Sequence, residues 1–428
     1  MRPMEDDIRR YQLWLSAIFL VACIGYLIAV YYLGIETEVM RDRYWKDVVP
    51  FLEGVAPIME YPPFSLLFMV IPGLFVSTPF GYNIAYVGEV FVFMVIGLIL
   101  TSKIAENRGY DQKRAMLAYS VLMLLMLEFV LDRFDIFPAV ICLAAIYCFL
   151  RKWYVASFAL VAVGTLTKIY PALLFPVFLI ALLADRDCRG ALRGTVSLVV
   201  VALAIMLPIM IIEPEMITGF LGYHTDRPLQ IESVAASILY PFGMAGLMDM
   251  SITSAKDPSS FGSDNLVGPI PDAVAGALMP LMIVAILAVY FLFLYIRAKG
   301  VRDDSLFLLA SASLLSVLMF IVVGKVFSSQ YMIWIIPPLL FTMMSCPDRR
   351  LSVRLFWLTV VALILTQAEF AYNVGYLGGG PNIDDAGMIL VLVRNIVVIA
   401  FSVLIVRGVW DVFRRYGARE ADAPAISQ

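Results

Sequence analysis

The sequence predicts an all-α polytopic membrane protein in which residues 1–428 form one integral-membrane domain. Of its 428 residues, 62% are hydrophobic and 15% are charged, with a mean hydropathy of +0.89. This is more apolar than a soluble core of that length can bury. Apolar segments close to the roughly 20 residues that cross a bilayer recur almost from end to end. The first of these segments is too long for a signal peptide and no small-residue cleavage site follows it, so we predict a retained helix.

About twelve transmembrane helices are predicted, with the last ending near Arg407 and residues 408–428 forming a tail. A further apolar run, residues 64–77, contains Pro72 and, at about 14 residues, is short for a span. The predicted spans begin near Trp14, Asn83, Ala115, Ile136, Tyr154, Pro171, Gly194, Pro271, Ser305, Met332, Leu355 and Met388.

The loop charges predict the orientation of these helices. If residues 64–77 do not cross the membrane, most of the 31 lysines and arginines lie in loops on one side. The positive-inside rule assigns that side to the cytoplasm. We therefore predict a multi-pass protein of the cell membrane with both termini in the cytoplasm and residues 64–77 as a half-inserted juxtamembrane helix. The long loops at residues 34–82 and 213–270 are then extracytoplasmic.

Five ionisable residues fall in the outer parts of predicted spans. Charged groups at that depth face a cavity or one another rather than lipid. Snorkelling to the interface is the alternative for any one of them, but a shared external cavity is favoured for the set. These residues are Glu89, Glu128, Lys168, Glu369 and Arg394. The five cysteines have no metal-ligand spacing, so we predict neither a disulfide framework nor a zinc site. Asp132 and Asp135 alone form no convincing metal site, and we predict no metal or other cofactor.

Polar residues are clustered in the external connections. The turn around Arg133 also holds two aspartates, of which helix capping explains one. Lys168 lies at a hinge between two spans, where it could meet a lipid phosphate or serve as a lipid-facing anchor. His224, Arg227 and Glu232 lie close together in the second long loop and suit an anionic or sugar ligand.

The order of these motifs along a chain of about twelve spans resembles the integral-membrane glycosyltransferases of family 87, which have the GT-C fold. The resemblance covers most of the chain. It rests on an aspartate among aromatic residues after the first span, Gly54-Val55-Ala56-Pro57, Glu60-Tyr61-Pro62-Pro63, Arg133-Phe134-Asp135-Ile136, Lys168-Ile169-Tyr170-Pro171, Arg227-Pro228-Leu229-Gln230-Ile231-Glu232-Ser233, and Gln330-Tyr331 before Trp334.

This resemblance implies transfer of a hexose, most often mannose, from a polyprenyl or dolichyl monophosphate to a lipid or glycan acceptor at the extracytoplasmic face. The chain has no glycine-rich nucleotide loop before a soluble α/β unit, which agrees with a lipid-linked sugar donor. The expected partners are this donor, the acceptor and membrane lipids, and nucleic acid is not among them. A membrane transporter and a lipid-linked glycan polymerase or ligase are the alternatives. The clustering of charges toward one face and the lack of an internal repeat argue against a transporter.

Inverting transfer needs a carboxylate that takes the acceptor's proton and groups that stabilise the leaving phosphate. The resemblance implies that the base is an acid of the first external loop. Asp42 is favoured by its spacing to Gly54 and by the nearby Tyr44, with Asp47 as runner-up. The expected phosphate-binding residues are Arg133, Lys168, His224 and Arg227. The expected sugar-binding or acceptor-binding residues are Tyr44, Glu60, Tyr61, Asp135, Glu232, Gln330 and Tyr331.

Overall fold

Helices form nearly all of the regular structure in a computed structural model that describes residues 2–35, 37–41, 44–57, 60–255, 257, 260–302, 304–373 and 385–422. Short 3-10 turns at Pro63–Ser65, Tyr170–Leu173 and Ser329–Tyr331 lead into three of the helices. The α-helices are α1 (Arg2–Leu33), α2 (Glu38–Arg41), α3 (Trp45–Leu52), α4 (Leu66–Gly73), α5 (Pro79–Arg108), α6 (Gln112–Leu125), α7 (Leu127–Asp132), α8 (Ile136–Leu150), α9 (Tyr154–Thr167), α10 (Leu174–Ala184), α11 (Cys188–Ile212), α12 (Glu215–Asp226), α13 (Val234–Met244), α14 (Pro269–Ala298), α15 (Ser305–Val322), α16 (Met332–Ser345), α17 (Arg349–Asn373) and α18 (Asp385–Asp422).

Seven helices of the described chain are long and apolar enough to cross a membrane. These are α1, α5, α11, α14, α15, α17 and α18. The other five predicted spans fall on α6, α8, α9, α10 and α16, which are 11 to 15 residues long. The helical architecture therefore agrees with the predicted class of polytopic membrane protein, while the number of twelve spans stays a prediction.

The first long connection folds back onto α5 and onto the turn between α7 and α8. Its apolar run forms the short helix α4, which ends just after Pro72. The Tyr82 hydroxyl of α5 donates to the Met69 carbonyl at 2.7 Å and ties α4 to the long helix. The Phe134 backbone N–H donates to the Tyr44 hydroxyl at 3.1 Å. The first connection is thereby anchored beside the turn that carries Arg133.

The second long connection, residues 213–268, contains α12, α13 and a three-stranded antiparallel sheet. Strands β1 (Leu229–Gln230), β2 (Ser251–Thr253) and β3 (Asn265–Val267) pair in the order β1-β3-β2. The sequence analysis did not anticipate these strands, because two or three residues are too few to show an alternating pattern. Leu229 and Leu266 are fully buried and belong to one apolar cluster with Val391 of α18. This cluster therefore links the sheet to α13, α14 and α18.

Candidate active site

A cavity of about 530 Å³ lies where the two long connections meet the helix ends and α17. The residues that line it are far apart in the chain. Eight of the residues proposed from the sequence line it: Glu60, Tyr61, Arg133, Lys168, Arg227, Glu232, Gln330 and Tyr331.

Three cations of this cavity occupy the same kind of backbone position. Arg133, Lys168 and Arg227 each directly follow a helix, namely α7, α9 and α12, and each has an extended backbone that ends the helix. The C-terminal end of a helix carries partial negative charge and favours a cation within its last turn. The fold thus fixes three positive groups at one cavity through three separate helix ends.

Lys168 is held in a buried cage of aromatic rings and one carboxylate. Its Nζ donates to Asp135 Oδ1 at 2.6 Å, and Trp334 Nε1–H donates to the same oxygen at 2.5 Å. The ammonium lies 5.0 Å from the ring centroid of Tyr61 and 4.7 Å from that of Phe134. Burial lowers the pKa of Lys168, and the negative charge of Asp135 opposes this effect. Asp135 is fully buried and does not line the cavity, so it contacts Lys168 from the side of the protein interior.

The connection that carries Lys168 depends on close packing between α9 and the 3-10 turn that follows it. A Cβ atom on Gly164 would lie 3.0 Å from Pro171 Cβ, which is so close that Pro171 would have to shift. Glycine at this position therefore lets α9 approach the 3-10 turn that begins two residues after Lys168.

The two arginines of the cavity, Arg133 and Arg227, are both largely buried. Burial lowers the pKa of Arg133 to about 10, with Asp135 and Glu232 opposing the shift. Arg227 is nine-tenths buried, and its Nη2 donates to Ser263 Oγ at 3.0 Å. Its buried Nε–H has no hydrogen-bond partner among the residues that the structure describes. Since buried donors are normally satisfied, this one suits an anionic ligand in the cavity.

Four carboxylates line the same cavity, namely Glu60, Glu232, Asp264 and Glu369. The Ser329 hydroxyl lies 3.4 Å from Glu232 Oε2 and 3.3 Å from Glu369 Oε2. Burial raises the pKa of Glu232, while Arg394 and the Ser329 hydroxyl oppose this effect. Carboxylates in this setting can accept hydrogen bonds from ligand hydroxyls, next to cations that can bind a phosphate.

Several residues proposed from the sequence lie elsewhere. Asp42, the favoured base, lies outside the described residues, as does the side chain of His224. Asp47 lies on α3 and Tyr44 packs against Phe134, and neither lines the cavity.

The cavity also contains residues without an assigned role. Asp264 follows α13 and precedes β3, and Lys325 follows α15. No spacing in the sequence places either residue at the cavity that Lys168 lines, because each comes from a connection whose path only the folded chain defines. Among the charged residues of predicted spans, Lys168 and Glu369 line the cavity and Arg394 contacts Glu369. The expectation of a shared cavity is not met for three of the five, which are not among its lining residues: Glu89, Glu128 and Arg394.

The fold and site define a helical membrane protein with a cavity rich in both cations and carboxylates. A model described as glycosyltransferase family 87 matches residues 60–324, which is more than half of the chain. The chain belongs to glycosyltransferase family 87, which confirms the resemblance seen in its motifs, and this membership implies glycosyltransferase activity. The matched range begins after Asp42 and Asp47. A comparison with curated proteins gives no match.

Proposed function

We propose that this glycosyltransferase moves a hexose, in the first instance mannose, from a polyprenyl or dolichyl monophosphate to an acceptor hydroxyl. The acceptor is a lipid or a glycan, and the reaction inverts the configuration of the transferred sugar. It takes place at the extracytoplasmic face of the cell membrane, with both chain termini in the cytoplasm. The proposal assigns no metal or other cofactor.

One observation carries the proposal, the convergence of Arg133, Lys168 and Arg227 on a cavity that four carboxylates also line. A sugar linked to a lipid phosphate presents a negative phosphate beside a ring of hydroxyls. The three cations suit the phosphate, with the buried Arg227 Nε–H available to one of its oxygens. The carboxylates and Gln330 suit the hydroxyls.

The reaction follows from this distribution of charge. A carboxylate takes the proton of the acceptor hydroxyl as its oxygen attacks the anomeric carbon. The bond between the anomeric carbon and the phosphate oxygen breaks, and its electron pair leaves with the lipid phosphate. The cations stabilise the negative charge that develops on this leaving group.

Asp42 is the proposed base. Described residues on both sides of it in the chain contact the α7–α8 turn, which supports this choice. The Val39 N–H lies 3.4 Å from Asp132 Oδ1, and Tyr44 accepts a hydrogen bond from the Phe134 N–H. Asp47 remains the second candidate.

The direct test uses the full-length protein, purified and reconstituted in liposomes with polyprenyl-phosphate-[¹⁴C]mannose and a lipid extract of the source membrane. We expect label to pass from the sugar donor into an acceptor product with release of polyprenyl phosphate. The same preparation without protein is the control.

Two other results would contradict the proposal in informative ways. Uptake of label into the liposome lumen without a new product would favour a transporter. Transfer that occurs only from a pyrophosphate-linked donor, and that a monophosphate donor does not inhibit, would favour a glycan polymerase or ligase.

The lowered pKa of Lys168 predicts a pH dependence. If its ammonium binds the phosphate, kcat/KM for the sugar donor should fall as that proton is lost, at a pH below the ordinary lysine value of 10.5. The ordinary pKa of arginine is roughly 2 units or more above that of lysine, so an arginine under the same burial keeps its proton to higher pH. Lys168→Arg should therefore move the alkaline limb of the kcat/KM profile to higher pH, even if its maximum rate is lower. Lys103→Arg, at an exposed ion pair with Glu106, should leave the profile unchanged. An unshifted limb in Lys168→Arg would exclude Lys168 as the titrating group.

A further inference from the structure

Arg394 lies behind the cavity wall and joins two of its carboxylates. Its side chain is fully buried, and Nη1 lies 3.3 Å from Glu369 Oε2 and 4.0 Å from Glu232 Oε2. Nη2 donates to the Glu232 backbone carbonyl at 2.7 Å, and Nε donates to Asn395 Oδ1 at 3.2 Å. The guanidinium carbon lies 4.2 Å from the ring centroid of Phe327. One side chain thereby contacts the second long connection, α17 and the loop before α16.

The geometry of these contacts requires a guanidinium. Removing a charge from water is costly unless it is paired and hydrogen-bonded, and Arg394 meets both conditions through three of its nitrogens. A lysine ammonium is a compact point charge, so it cannot reach Glu369, Asn395 and the Glu232 carbonyl together.

The adjoining residue strengthens the attachment of the same segment. Asn395 Nδ2 lies 3.3 Å from the Ser233 carbonyl and 3.0 Å from Ser237 Oγ. From the other side, the Gln230 N–H donates to the Lys325 carbonyl at 3.0 Å, and Gln230 Oε1 accepts from the Phe327 N–H at 2.8 Å. Residues 230–233 are thus held at both ends, with Glu232 facing the cavity between them.

We propose that Arg394 is a positioning residue for glycosyl transfer, which fixes Glu232 and Glu369 at the cavity so that they can accept hydrogen bonds from sugar or acceptor hydroxyls. This inference rests on the proposed function. Arg394 itself does not line the cavity, and it lies outside the range that the family model matches. Its effect on the reaction therefore passes through the two carboxylates.

The first test compares kcat/KM of Arg394→Lys with that of a matched variant, Arg297→Lys. Arg297 is also buried and donates to a carboxylate, that of Asp185, but it does not line or adjoin the cavity. Because small misplacement of substrate-binding groups is costly, we expect Arg394→Lys to lower kcat/KM by about 100-fold. Arg297→Lys should stay within about 3-fold of the wild type, as expected for a site outside the catalytic geometry.

A double-mutant cycle separates positioning from a general loss of structure. If Arg394 acts through Glu232, then Arg394→Lys should have much less effect in a Glu232→Gln background than in the wild type. If Arg394→Lys does not fold, Glu369→Gln takes its place in the cycle. This isosteric change removes the charge that pairs with Arg394. Wild-type kcat/KM in Arg394→Lys, or full additivity with Glu232→Gln, would overturn the proposal.

Hydrogen exchange gives a readout that does not depend on the reaction. The backbone N–H groups of Gln230 and Ile231 are hydrogen-bonded to Lys325 and Asp264 in the wild type. Their exchange should be faster than in the wild type in Arg394→Lys, and it should be as slow as in the wild type in Arg297→Lys. If the wild type transfers no sugar from a lipid monophosphate, the proposed function fails, while this exchange result still decides whether Arg394 fixes the segment. Unchanged exchange in Arg394→Lys would overturn the positioning role.

Discussion

Asp42→Asn is expected to lower kcat for sugar transfer by about 100- to 10,000-fold, the range that general base catalysis supplies. The amide cannot take the proton of the acceptor hydroxyl, but it is close in size to the carboxylate. Binding of the sugar donor should be little changed, because the proposed phosphate contacts come from other residues. Steady-state kinetics with varied donor and acceptor measure both quantities.

Two further variants make this result specific to Asp42. Glu53→Gln removes an exposed carboxylate of the same connection that does not line the cavity, and it should leave kcat near the wild-type value. Asp47→Asn tests the second candidate. If Asp42→Asn still transfers sugar at the wild-type rate while Asp47→Asn does not, the base is Asp47.

Lys168→Met is expected to abolish measurable transfer and also to destabilise the protein. Loss of the ammonium removes one proposed phosphate contact and leaves the fully buried Asp135 without its cation. Removing one partner of a buried ion pair costs roughly 3–5 kcal/mol. Thermal unfolding in detergent should therefore show a clear drop in Tm. Lys103→Met, at an exposed pair, should leave both Tm and activity near wild type.

The double variant Lys168→Met/Asp135→Asn separates the two effects. Both buried charges are then absent, and the new amide oxygen can still accept the Trp334 Nε1–H that Asp135 accepts in the wild type. We expect much of the lost Tm to return while transfer stays absent. Recovery of transfer together with Tm would show that Lys168 serves stability alone and does not bind the phosphate.

Much of the architecture could be predicted from the sequence, because its signals are local. Long apolar segments end at polar connections. Eleven of the twelve predicted starts fall on α-helices, and Pro171 falls in the 3-10 turn that leads into α10. The short helix α4 could be predicted from Pro72 and the length of its apolar run. The cations Arg133 and Lys168 could be found because short turns at helix ends concentrate charge.

The rest of the site depends on contacts between distant segments. Glu369 and Arg394 stood out as charges within apolar helices, but their association with Glu232 depends on how α17 and α18 pack against the second long connection. Asp264 and Lys325 carried no local signal. The three short strands and the hydrogen bond between Arg227 and Ser263 carried no local signal either.

The ion network around Arg394 also has a consequence for the order in which the protein is made. Glu232 and Glu369 leave the ribosome well before the guanidinium that joins them, since synthesis runs from the N-terminus. A nascent chain that stops short of α18 therefore holds two acids whose shared counterion does not yet exist. The buried contacts behind Glu232 and Glu369 are completed only after α18 has been synthesised.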